Sequence, residues 1–147
     1  MRDVDDDEFF RGLIWNQLPE ARDLMKELER DELELAADLG MPQNGRVGSY
    51  SYASIVLVDG VLEPALKSAP RNADLLARVA RVLEAAVDSG RSYLQEAVSL
   101  RVTDFLVGSP EYWLAFREHA GPALSADARE RGRYVEWWAD APAPREP

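Results

Sequence analysis

Two runs of carboxylates are the residues of this chain whose types and spacing could do chemistry. The first is Asp3, Asp5, Asp6, Asp7 and Glu8; the second is Glu27, Glu29, Asp31, Glu32 and Glu34. Clustered carboxylates can hold a hard cation or, where an apolar pocket raises one pKa, move a proton. Adjacent residues on a helix point about 100° apart, so the first run cannot converge on an ion without a glycine-containing loop, and no glycine interrupts it. It reads as a solvated helix cap. The second run differs: Glu27 and Asp31 share a helix face at i, i+4 and repel by about a few tenths of a kcal/mol. That placement works against the helix and suits a partner of opposite charge.

Nucleophilic and metal chemistry find little support. Cysteine is absent, so thiolate catalysis, thiolate zinc sites and disulfides are excluded. The lone histidine, His119, rules out any centre that needs two, and its place near a helix end suits a dipole partner better than a base. No G-x-S-x-G elbow, phosphate loop or G-x-G-x-x-G occurs; Gly45-Arg46-Val47-Gly48 is too short to cradle a phosphate. The expectation is therefore a protein that is not an enzyme and takes no cofactor or metal. Tyr112, Trp113 and Phe116 crowd one segment and Trp137-Trp138 another. They read mainly as core, but an exposed aromatic beside acids would be typical of a protein-binding hot spot.

The elements that must position these residues read as helices. Asp5 with Glu8 fits a capping box, followed by an apolar stripe of Phe9, Phe10, Leu13 and Ile14, widened by Trp15. Pro19 opens a second helix through Leu24, Leu28 and Leu35 to about Leu39, closed by Gly40, Met41-Pro42 and Asn44-Gly45. Residues 49–62 favour a strand by propensity, yet no second strand exists to pair with them, and the segment is read as a buried helix that Gly60 and Pro64 end or kink. Asn72 caps the next helix and Gly90 closes it; Ser92 with Gln95 forms another capping box; Ser109-Pro110-Glu111 starts a short helix to about His119. Gly121-Pro122 begins the last, to about Trp137, and residues 141–147 form a Pro/Ala-rich tail expected to be disordered.

The expected fold is all-α: six to seven helices in antiparallel hairpins, a HEAT-like array or irregular bundle, over one domain of residues 1–140. A chain of 147 residues has room for one core. Twenty-seven acids against seventeen bases give a net charge of −10, which speaks against nucleic-acid and anionic-membrane partners. Residues 1–40 hold thirteen of the acids and five of the bases, so the acidity is concentrated there. No run reaches the about 18 apolar residues of a membrane span, and Met1-Arg2-Asp3-Val4-Asp5 is unlike a secretory signal, which predicts a cytoplasmic chain.

One stretch carries a resemblance. Leu83-Glu84-Ala85-Ala86-Val87-Asp88-Ser89-Gly90, then Leu94-Gln95-Glu96-Ala97-Val98-Ser99-Leu100-Arg101-Val102-Thr103-Asp104-Phe105-Leu106, closing with Gly121-Pro122-Ala123-Leu124 and Arg131-Gly132-Arg133-Tyr134, resembles a family of small all-helical bacterial proteins found among the immunity proteins of polymorphic toxin systems. It covers residues 48–138 and rests on apolar spacings. Where members carry a proline-histidine pair before the third helix, this chain has Gly48-Ser49-Tyr50-Ser51-Tyr52. The resemblance supplies no catalytic residues. It implies a helical immunity protein that binds and neutralises a cognate toxin domain, and acidity suits a basic, nuclease-type toxin. Glu27, Asp31, Glu34, Asp38, Tyr50 and Tyr52 are the expected contacts. The competing expectations are a helical adaptor or scaffold for an endogenous bacterial partner, and a bundle whose Tyr50, Tyr52 and Trp113 line a small-molecule cavity.

Overall fold

The computed structural model describes residues 4–40 and 47–140. Seven helices and no strand occur among them. They are α1 (Val4–Gln17), α2 (Arg22–Asp38), α3 (49–67), α4 (Ala73–Asp88), α5 (92–107), α6 (Pro110–Phe116) and α7 (Pro122–Gly132). Short 3-10 turns at Pro19–Ala21, Arg117–His119 and Glu136–Asp140 join or follow them. The Met41-Pro42 and Asn44-Gly45 break and the 141–147 tail lie outside the described residues, as does Asp3.

Several ends are set by local chemistry. The Asn72 side chain accepts from the Leu75 N–H at 3.1 Å, and Ser109 accepts from the Tyr112 N–H at 3.4 Å with Pro110 at the first helical position. Gly40 and Gly90 follow their helices with φ of 67° and 75°, the left-handed region that a side chain disfavours. Other expected signals are overridden. Arg91 rather than Ser92 holds the N-cap position of the 92–107 helix, without a capping bond from its own side chain, and Gln95 turns back to the Val87 carbonyl. The last helix stops at Gly132, well before Trp137, because the chain turns so that Trp138 lies over Gly132, where a Cβ would overlap its ring.

Residues 49–67 form one continuous helix whose middle, Tyr52–Leu62, is a π-helix. The Glu63 N–H donates to the Val58 carbonyl, five residues back. The buried residues explain the wide turn: Tyr52-Ala53, Val56-Leu57, Val61-Leu62 and Ala65-Leu66 recur every four to five positions instead of every 3.6. Gly60 and Pro64 do not end it. The π-segment finishes just before Pro64, whose ring would press on the carbonyl four back in an α-turn, and Gly60 leaves room for Leu24 of α2. A second π-turn, Ser99–Thr103, interrupts α5 in the same way, with Asp104 N–H donating to Ser99 O.

The two π-containing helices pack side by side and run in the same direction, 49–51 against 92–98 and 52–62 against 99–103. Together with α1 and α4 they enclose the core, which holds Phe10, Ile14, Leu57, Leu62, Leu83, Leu94 and Leu106. Helix α7 closes one side against α4 and α5. Trp113 belongs to this core, tilted against Trp138, and the Trp137 indole donates to the Val107 carbonyl at 2.8 Å. No helix among the described residues is long and apolar enough to cross a membrane.

Candidate functional site

Of the first acidic run, Asp5 and Glu8 are exposed, as a solvated cap would be, but its middle is not. Asp6 and Asp7 are only 3% and 2% exposed, because each serves the N-terminus of another helix. Asp7 accepts from the Ser49 N–H and the Ser49 hydroxyl, both at 2.7 Å, at the start of α3. Asp6 accepts from the Leu94 N–H at 3.3 Å and from Arg91 at 2.9 Å, at the start of α5. Parallel packing puts the positive dipole ends of α3 and α5 beside that of α1 itself, and adjacent aspartates face them. Helix α7 is served likewise by Glu84 of α4, which accepts from the Ala123 and Leu124 N–H groups at 2.5 and 3.0 Å. These acids hold the fold together.

The second acidic run divides in two. Glu29 turns inward, taking Arg11 in a two-pronged ion pair at 2.6 and 3.1 Å and the Tyr52 hydroxyl at 2.5 Å. Burial works against the Glu29 carboxylate, and the hydrogen bonds from Arg11 and Tyr52 outweigh it, so its pKa lies below the ordinary value. Burial, reinforced by the Glu29 carboxylate, pushes Tyr52 above the usual tyrosine range. Tyr52 is itself only 2% exposed, so this expected contact is interior: its ring fills the core, and its hydroxyl is spent on Glu29. Tyr50 is half-buried, edge-on to Tyr93 with ring centres 5.6 Å apart, and Arg101 stands over its ring.

Glu27, Asp31, Glu34 and Asp38 are all exposed and fall on one stripe of α2. Asp31 and Glu34 share Arg30, at 3.4 and 4.0 Å, whereas Glu27 and Asp38 have no ion-pair partner among the described residues. Beside this stripe lies a row of leucines. Leu24 and Leu28 pack on the core, and the same row continues through Leu35 and Leu39, which are 53% and 65% exposed. Leu33, on the opposite side, is 43% exposed. Met25 is the last fully buried residue of α2, which packs chiefly on the π-segment of α3. From about residue 30 onward the helix leaves the body as an arm with leucines along one edge and acids beside them.

In the sequence, Leu24, Leu28 and Leu35 mark only the run of the second helix, and the arm is missed. One signal was available: Leu33 and Leu35 lie about 200° apart on a helix, so one core cannot cover both. Glu29 could not be told from its acidic neighbours without knowing where Arg11 and Tyr52 fall. His119 packs edge-on to the Phe116 ring beside Glu118. An open cleft of about 520 Å³ runs between the end of α3 and α6, lined by Lys67, Arg71, Glu111 and Tyr112. Tyr50, Tyr52 and Trp113, expected to line a cavity, are not part of it. Compared with known proteins, the chain matches no family model, no curated protein and no solved structure.

Proposed function

We infer that this chain is a protein-binding inhibitor, an immunity protein whose α2 arm docks a basic toxin domain. The observation that carries the reading is the arm's surface. Leu35 and Leu39 extend the core's apolar row into solvent, and Glu27, Asp31, Glu34 and Asp38 run alongside it. Leucine area that the fold leaves uncovered is stabilised only when a partner covers it, by about 25 cal/mol per Å² removed from water. The flanking acids select which partner: they attract a cationic surface, speed encounter at low salt and repel acidic proteins. An inhibitor of this kind needs a rigid surface rather than a reacting group. The toxin class comes from the family resemblance of residues 48–138, and the arm supplies the chemistry of contact.

The test is capture on the immobilised chain from lysate of the cells that make it, at low and moderate salt. The expected result is a basic toxin-domain polypeptide at near one-to-one ratio, released as salt rises. Leu35→Ser/Leu39→Ser should lose it while melting like the parent. Neutralising Glu27, Asp31 and Glu34 to glutamine should slow association at low salt by about tenfold. Capture of a metabolic or regulatory protein would sink the toxin reading. Capture undiminished by either variant would sink the arm.

A further inference from the structure

A cluster of cations stands at the root of the same helix, in the most acidic part of the sequence. Arg11, Arg22 and Lys26 converge on the indole of Trp15, with their charged groups 4.9, 5.0 and 5.6 Å from its ring centre. Arg11 is neutralised by Glu29. Arg22 and Lys26 have no carboxylate at ion-pair distance among the described residues, although thirteen acids lie in the first forty positions. The Arg22 Nε donates to the Trp15 carbonyl at 2.9 Å, which fixes the guanidinium and leaves its two terminal nitrogens without an acceptor among the described residues. Lys26 is exposed, and Trp15 is half-buried beneath it. Each cation is attracted by the ring, and the cations repel one another. The arrangement thus holds two positive charges, without an ion-pair partner among the described residues, against one indole.

We propose that Trp15, Arg22 and Lys26 form a binding site for a phosphate monoester. Two uncompensated charges match a dianion better than a monocarboxylate, and a fixed guanidinium offers the paired donors that phosphate oxygens accept. The site is independent of the leucine and acid rows: positions 22 and 26 lie on a different stripe of α2 from 27, 31, 34 and 38.

Titration of the purified chain with methyl phosphate tests this at pH about 7.5, where a monoester is mostly dianionic. The reading is the indole N–H resonance of Trp15, assigned by its loss in Trp15→Phe. Sodium acetate and sodium chloride at equal ionic strength are the comparisons. Methyl phosphate should shift the resonance saturably and bind about tenfold tighter than acetate, with the Trp113, Trp137 and Trp138 signals unmoved. Lys26→Gln, at an exposed position with no side-chain hydrogen bond among the described residues, should weaken binding about tenfold with an unchanged spectrum elsewhere, and Arg22→Gln/Lys26→Gln should abolish it. A shift that tracks ionic strength alone, or acetate binding as tightly as methyl phosphate, would overturn the proposal and leave the cations as a cover for the indole.

Discussion

Asp7 carries a carboxylate into the interior, where Ser49 gives it two donors, its N–H and its hydroxyl. Asp7→Ala strands two buried donors and removes the anion facing the start of α3. The expected cost is about 2–3 kcal/mol. Asp7→Asn keeps an acceptor oxygen and should lose about 1 kcal/mol. Urea denaturation of both variants gives the comparison, with unchanged slopes showing that stability alone has moved. Equal losses in the two would mean that charge, rather than acceptor geometry, is what α3 requires. Local sequence rules were sufficient at Asn72, Gly90 and Ser109, where cap and helix are neighbours. They failed at Ser49, Leu94 and Ala123 because the capping carboxylates come from Asp7, Asp6 and Glu84, remote in sequence. A run of aspartates looks the same whether it faces water or two other helices.

At the scale of elements, the junction between α1 and α2 is tied to α4 through one arginine. Arg78 donates to both oxygens of Glu20 at 2.6 Å, to the Gln17 carbonyl at 3.1 Å and to Asp74 at 2.9 Å. The Arg78 hydrogen bonds hold the Glu20 pKa at about 2, below its ordinary 4.5. A carboxylate depressed on folding stabilises the protein above its unfolded pKa, and that contribution is lost as pH falls from 4.5 toward about 2. Because the Glu20 side chain is 43% exposed, water screens the pair, which is worth about 1 kcal/mol or less. In thermal melts across that interval, Glu20→Gln should be slightly less stable than the parent near neutrality and show a shallower decline in acid. Parallel curves would mean that the pair contributes nothing. Helix 49–67 shows the limit of pattern reading at this scale. Its helical character followed from the absence of a pairing strand, but a test for a 3.6-residue period sees only a nearly continuous apolar run. The buried pairs repeat every four to five residues, which suits a π-turn and nothing commoner.

Taken as a whole molecule, the chain spends its excess acidity in two ways. Asp6, Asp7, Glu20 and Glu29 are committed to holding helices in place, so the net charge of residues 1–40 overstates what an approaching partner meets. What remains outward is the row on the α2 arm, together with Asp5, Glu8 and Asp23. The all-α class, the number of helices and most of their boundaries were legible in the sequence, since each rests on spacing and turn chemistry. The arm was not, because a leucine row reads alike whether a core covers it or water does.

The adjacency of Asp6 and Asp7 also has a kinetic meaning. One short stretch of α1 closes the first turns of α3 and α5 together, so those turns cannot open independently while α1 stays docked. In amide hydrogen exchange, the Ser49 and Leu94 N–H groups should share one opening free energy despite their separation in the chain. Destabilising the docking of α1 should accelerate both by the same factor. Unequal acceleration would show two latches instead of one.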